Sequence, residues 1–153
     1  MFQVLLLTHL VGVVVMAAAH GVSIFAAFRV RREADPRIVA TILAMSKSAV
    51  SLLYLGFGLL AIGGFGAAWQ TGALLAPWAI ASYVVLAVVI GAMTAIATPY
   101  YGRVRQLVGA GTGDAIDTTA MHAALDSRRP ELLAIVGTSG LLVLLWLMVV
   151  RPA

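Results

Sequence analysis

The sequence predicts an all-α membrane protein, a four-helix transmembrane bundle with both termini outside, and three observations carry that reading. Of the 153 residues, 62% are hydrophobic and only 10% are charged, against about 25% charged in an ordinary soluble domain. The apolar residues come in long unbroken runs, without the striped or alternating patterns that leave one wettable face. The few charges, Arg151 apart, gather between those runs, in two places.

A bilayer core about 30 Å thick needs roughly 20 apolar helical residues to cross it. Met1 to Phe28 holds no Asp, Glu, Lys or Arg, and it lacks the basic start and small-residue cleavage site of a secretory signal. A retained first span is therefore expected at about 3–28. Ser48 to Gly102 is again free of charge, too long for one span and suited to two, at 46–69 and 77–101. Gln70-Thr71-Gly72 and Ala76-Pro77 supply the turn between them. Arg129-Pro130-Glu131 sets proline in a first helical turn and an acid near the positive end of the helix dipole, and opens a last span at 131–150.

Segments 29–45 and 102–130 then form the two loops on one side. Lys and Arg accumulate on the cytoplasmic side of short loops. Arg29, Arg31, Arg32 and Arg37 lie in the first segment, and Arg103, Arg105, Arg128 and Arg129 in the second. The opposite side has only Arg151, while Lys47 sits at the inner mouth of the second span, where its stem snorkels to the interface. This pattern predicts a multi-pass protein of the cell inner (plasma) membrane with external termini. Trp69, Trp78 and Trp146 at the outer ends, with Tyr100 and Tyr101 at the inner end of the third span, make the aromatic belts. The net charge is +4, but the basic residues are divided between two short inner loops, which suits anionic lipid headgroups at the inner face. No basic patch interleaved with stacking aromatics argues for nucleic acid. The chain has no cysteine, which removes disulfides and thiolate chemistry.

Helices in lipid associate through close contact of small residues and a few polar groups. Gly56, Gly63 and Ala67, with Gly58, Gly64 and Gly66, give the second span such a face. Ala87, Gly91 and Ala95, with Thr94 and Thr98, give the third span another, and Gly137-Thr138-Ser139-Gly140 a fourth-span counterpart. Each reads as a contact face, or alternatively as a flexible or substrate-lining surface. Gly109-Ala110-Gly111-Thr112-Gly113 reads as a hinge ahead of a short helix from Asp114 to Leu125. The sharper phosphate-cradle reading lacks the Lys-Ser/Thr ending and preceding strand that a phosphate loop requires.

Ionisable groups inside a span are costly and mark functional candidates. Here they are His9 and His20, eleven positions apart, which at about 100° per residue places them on one face. Gly12, Met16 and Ser23 share it, so that His9, Gly12, Met16, His20 and Ser23 form a column expected to look into the bundle, with Tyr54, Thr94 and Thr98 at the depth of His20. Neutral imidazoles hydrogen-bonding to hydroxyls of neighbouring helices are one reading. A soft-metal site is another: Met16 and His20 are a thioether and an imidazole one turn apart, a set suited to cuprous copper, with His9 above them. Haem b ligated by His20 is a third. No carboxylate lies within a span, since Glu33, Asp35, Asp114, Asp117, Asp126 and Glu131 all fall at the inner surface. No catalytic residue is assigned, and a non-enzymatic protein, either a homo-oligomer or a subunit of a larger membrane complex, is expected.

Several short motifs occur in a familiar order: Thr8-His9-Leu10-Val11-Gly12, Ala19-His20-Gly21-Val22-Ser23, Phe28-Arg29-Val30-Arg31-Arg32, Ala97-Thr98-Pro99-Tyr100-Tyr101, Asp126-Ser127-Arg128-Arg129-Pro130-Glu131, and Leu145-Trp146-Leu147-Met148-Val149-Val150-Arg151-Pro152. Together they resemble a family of small bacterial integral membrane proteins known as domain of unknown function 2269. Some members are labelled as similar to copper-resistance protein D. The resemblance covers nearly the whole chain. It implies a bacterial membrane protein, aligns His9 with the family's first-helix histidine, and suggests copper through that label, without supplying an activity. The chain departs from a copper-capturing pattern in lacking outer loops rich in Met and His.

Overall fold

The computed structural model describes residues 1–109 and 118–152 and is helical throughout its ordered elements: α1 (Phe2–Val30), α2 (Pro36–Gln70), α3 (Pro77–Gly109), α4 (Thr118–Leu125) and α5 (Arg129–Val150). Four of its helical segments are long and apolar enough to cross a membrane. Among the described residues there is no strand. The glycine hinge over 110–113 and the helix start at Asp114 lie outside the described residues, whereas the end of that short helix is α4.

Two spans run well past their apolar windows. α2 has 35 residues and α3 has 33, about 50 Å each at 1.5 Å per residue, where a bilayer core needs only about 30 Å. Thus α2 begins at Pro36 rather than near 46, and the connection from α1 shrinks to a tight turn. The cause is local. Asp35 is the N-cap and accepts a hydrogen bond from the Arg37 amide at 2.8 Å, with Pro36 pre-set at the first helical position. At its other end α2 closes with Thr71 and Gly72, whose positive φ of 70° reverses the chain toward Pro77. α3 continues to Gly109 through Pro99, a residue that lacks the amide a helix interior would use.

The overhanging ends pack together. Val30 of α1, Val39 and Leu43 of α2, Tyr100 and Val104 of α3, and Met121 and Leu125 of α4 form the buried apolar cluster. This is the arginine-bearing end. The best-buried large side chains of the described residues, Met121, Leu125, Val39, Val104 and Pro130, all belong to it. An ion pair spans it, with Arg31 Nη1 2.8 Å from Glu131 Oε1, joining the end of α1 to the start of α5. That hydrogen-bonded carboxylate holds the Arg31 guanidinium above its already high ordinary pKa. At the opposite end the Arg151 guanidinium lies 5.3 Å from the centre of the Trp78 ring, pinning α5 to the start of α3.

Between the ends the helices pair. α1 lies chiefly along α2, and α3 chiefly along α5. Glycines permit the first pairing. A Cβ on Gly12 would strike the backbone of Gly56 and Leu60, and one on Gly63 would strike the backbone of His9 and Leu5, so the two backbones touch where side chains ordinarily keep them apart. Gly140 of α5 receives Val89 of α3, which seals the second pair.

Candidate functional site

The seam where α1 meets both α2 and α5 holds the polar column of the first helix. His9 and Gly12 are buried, and Met16, His20 and Ser23 are half-buried, so the column faces inward as expected. α2 presents glycine to it: Gly56 lies against Met16, and Gly63 and Gly64 lie against His9. α5 presents Gly137 to the His20 ring. Small residues on two neighbours thus make room for one imidazole each.

Both ring nitrogens of His9 have a close neighbour. Its Nδ1 lies 2.9 Å from the Leu60 carbonyl of α2. A carbonyl only accepts, so Nδ1 carries the hydrogen and donates it. In the neutral ring Nε2 is then a bare lone pair. That atom stands 3.5 Å from the thioether sulfur of Met148 on α5, which has no hydrogen to offer. Two soft donors therefore face each other across a gap, with the far side of the ring oriented by a backbone carbonyl, the arrangement that commonly fixes a metal-binding histidine.

His20 differs. Its Nε2 is buried without a hydrogen-bond partner among the described residues, and so is Ser23 Oγ. The hydroxyls expected at its depth are elsewhere: Tyr54, Thr94 and Thr98 are exposed on the outer surface. The His20 ring is pressed against the Gly137 backbone, which leaves no gap for a porphyrin at that edge. Of the expected metal set, His9, Met16 and His20 line one seam, but the side chain brought to a histidine nitrogen is Met148, which the sequence reading did not single out. Its only sequence signal is that it is a methionine near the C-terminal end of the last span, the same end of the bundle as His9. Among the described residues no three or more His, Asp or Glu side chains gather to hold a metal.

The α3 face carrying small residues is not buried. Ala87, Gly91, Thr94, Ala95 and Thr98 are exposed, and a Cβ on Gly91 would meet nothing within 4 Å. α3 uses another face, through Val89, to contact α5. A second surface feature sits at the arginine-bearing end. There α3, α4 and the start of α5 enclose an open cleft of about 480 Å³ lined by Pro99, Tyr100, Arg103, Ala120, Ala123, Ala124, Ser127 and Arg129.

Compared with protein-family models, with curated proteins and with solved structures, the chain finds no match.

Proposed function

We propose that this integral membrane protein is a small helical subunit of a bacterial inner-membrane assembly, with both termini external and the arginine-bearing end in the cytoplasm. The observation that supports it is the α3 face. Ala87, Gly91 and Ala95 recur every four residues, the spacing that lets two membrane helices approach closely, and in the single chain that face is exposed with Thr94 and Thr98 alongside. The same type of face on α2 is used by α1, which Gly56, Gly63, Gly64 and Gly66 all meet. Two hydroxyls and a flat strip of small residues on a lipid-facing surface favour a helix of another chain over lipid tails.

The absence of cysteine makes the test clean. A single Ala87→Cys variant, oxidised in native membranes, is expected to give a crosslinked species, either at twice the chain's mass or with a larger partner. Gly91→Leu in the same background is expected to abolish it. Monomer alone in both variants would overturn the subunit reading.

A second reading is favoured by one specific contact. His9 and Met148 would hold cuprous copper, a soft ion suited to imidazole and thioether donors. Bonds of roughly 2.0 to 2.3 Å, as at other d10 centres, are compatible with the 3.5 Å between Nε2 and Sδ. The ion would supply soft-ligand binding, while His9 contributes orientation through Leu60. Haem b receives no such support, because the free nitrogen of His20 is turned into the chain against Gly137.

A further inference from the structure

The cleft at the arginine-bearing end has a composition that neither the α3 face nor the histidine seam explains. Its volume of about 480 Å³ lies in the range of small-molecule sites. Two guanidiniums, Arg103 from α3 and Arg129 from the first turn of α5, line it, and among the described residues no carboxylate does. Among the described acids, Glu33 pairs with Arg29 and Glu131 with Arg31, while Asp126, exposed beside Ser127, pairs with neither cleft arginine. Among the described residues neither Arg103 nor Arg129 has an ion-pair partner.

Ser127 supplies a third group. It lines the same cleft, and its Oγ is buried with no hydrogen-bond partner among the described residues. A buried hydroxyl left unpaired costs free energy; Oγ is closed to solvent as it stands, so a ligand oxygen recovers that cost once the side chain turns toward the cleft. The start of α5 adds its dipole to this: its N-cap Arg128 makes no side-chain capping bond, and the acid of its first turn, Glu131, is paired with Arg31. Two cations on separate helices, a hydroxyl donor and a helix start suit a tetrahedral anion that offers several oxygens at once. Tyr100, at the inner aromatic belt, lines the cleft as well, which puts it at headgroup depth.

We infer that this cleft is a phosphate-ester site, formed by Arg103, Arg129 and Ser127, that takes the headgroup phosphate of an anionic phospholipid or a soluble phosphate. The inference uses the membrane placement but not the occupant of the α3 face, so the crosslinking test and this one fail separately.

The test is native mass spectrometry of the detergent-purified full chain with phosphatidylglycerol, phosphatidylcholine or inorganic phosphate. One retained phosphatidylglycerol is expected on the wild type. Arg103→Gln with Arg129→Gln is expected to weaken it about thirtyfold, the effect of two interfacial cations. Arg32→Gln with Arg37→Gln removes the same charge outside the cleft and is expected to leave binding near wild type. Ala123→Trp fills the cleft with every cation kept and is expected to abolish the adduct, which decides the matter even if the double arginine variant misfolds. Phosphate displacing the lipid would assign a soluble phosphate as the ligand; retention of lipid against phosphate would assign the headgroup. Equal losses in the two double variants, or unchanged binding in Ala123→Trp, would overturn the site in favour of diffuse surface charge.

Discussion

Nε2 of His9 stands 3.5 Å from Sδ of Met148, and it turns a lone pair to the sulfur because Nδ1 has given its hydrogen to the Leu60 carbonyl. The contact joins α1 to the far end of α5, two helices that otherwise touch sparingly. It has no hydrogen to share in the neutral ring, so its value to the protein lies either in packing or in a soft cation.

Silver ion, a redox-stable stand-in for cuprous copper, separates the two. The wild type is expected to bind about one equivalent, measured by titration calorimetry in detergent. Met148→Leu preserves volume, a swap that usually costs less than about 1.5 kcal/mol, yet it removes the sulfur. Affinity is expected to fall at least about 10- to 100-fold, the range seen when even an outer partner of a metal ligand is lost. Identical titrations of both proteins would leave the pair as packing only.

The α1–α2 contact yields a second prediction, through glycines that differ only in what surrounds them. Gly63→Ala places a Cβ against the His9 and Leu5 backbone. Backbone cannot swing aside, so overpacking of about 1–3 kcal/mol is expected, read as a lowered Tm in detergent. Gly21→Ala and Gly91→Ala meet nothing within 4 Å, and replacing helical glycine is expected to stabilise each by about 0.5–1 kcal/mol. A Gly63 variant as stable as these two would mean the helices are farther apart than described.

Much of this fold was legible in the chain, and the exceptions have identifiable physical causes. Charge-free windows located every span, because lipid excludes charge. They misjudged where helices end, because a helix does not stop at the membrane surface. Asp35-Pro36 is a readable helix start, and Val39, Leu43 and Ser46, all buried, already repeat at helical spacing, so the first turns of α2 could have been found by capping chemistry. The inward column of α1 was legible from angle alone. Its partners were not: the period of one helix shows which residues share a face, never which neighbour that face meets. Hence Met148 escaped notice, and the small-residue faces of α2 and α3, alike in sequence, have opposite fates, one pressed to α1 and the other open.

The Arg31–Glu131 pair supports a third prediction. Its side chains are 22% and 45% exposed, so water screens it and a coupling of only about 0.2–1 kcal/mol is expected from a double-mutant cycle of Arg31→Gln and Glu131→Gln. The pH dependence follows from the raised Arg31 pKa, whose main cause is the hydrogen bond that Arg31 donates to the Glu131 carboxylate. A raised cation contributes below its unfolded value and loses that contribution only as pH climbs through the folded one. For arginine both lie beyond the mildly alkaline range, so the coupling should stay flat from neutral to mildly alkaline pH. A decline over that interval would exclude Arg31 as the titrating partner.

Sidedness gives the last prediction, and it depends on cations alone, because acidic residues contribute little to the positive-inside bias. The ion pairs of Arg29 and Arg31 therefore do not weaken the signal of the α1–α2 turn. Since the chain has no cysteine, single introduced ones report position without background. Leu75, in the α2–α3 turn, is 83% exposed, and Ala34, in the α1–α2 turn, is exposed as well. In intact cells an impermeant maleimide is expected to label Leu75→Cys at once and Ala34→Cys only after lysis; the reverse order would invert the topology. Adding Arg32→Gln and Arg37→Gln to Leu75→Cys should change nothing, because Arg103, Arg105, Arg128 and Arg129 still supply cations to the second basic segment. Mixed labelling in that variant would mean that the first turn alone sets the orientation, with the later arginines following it.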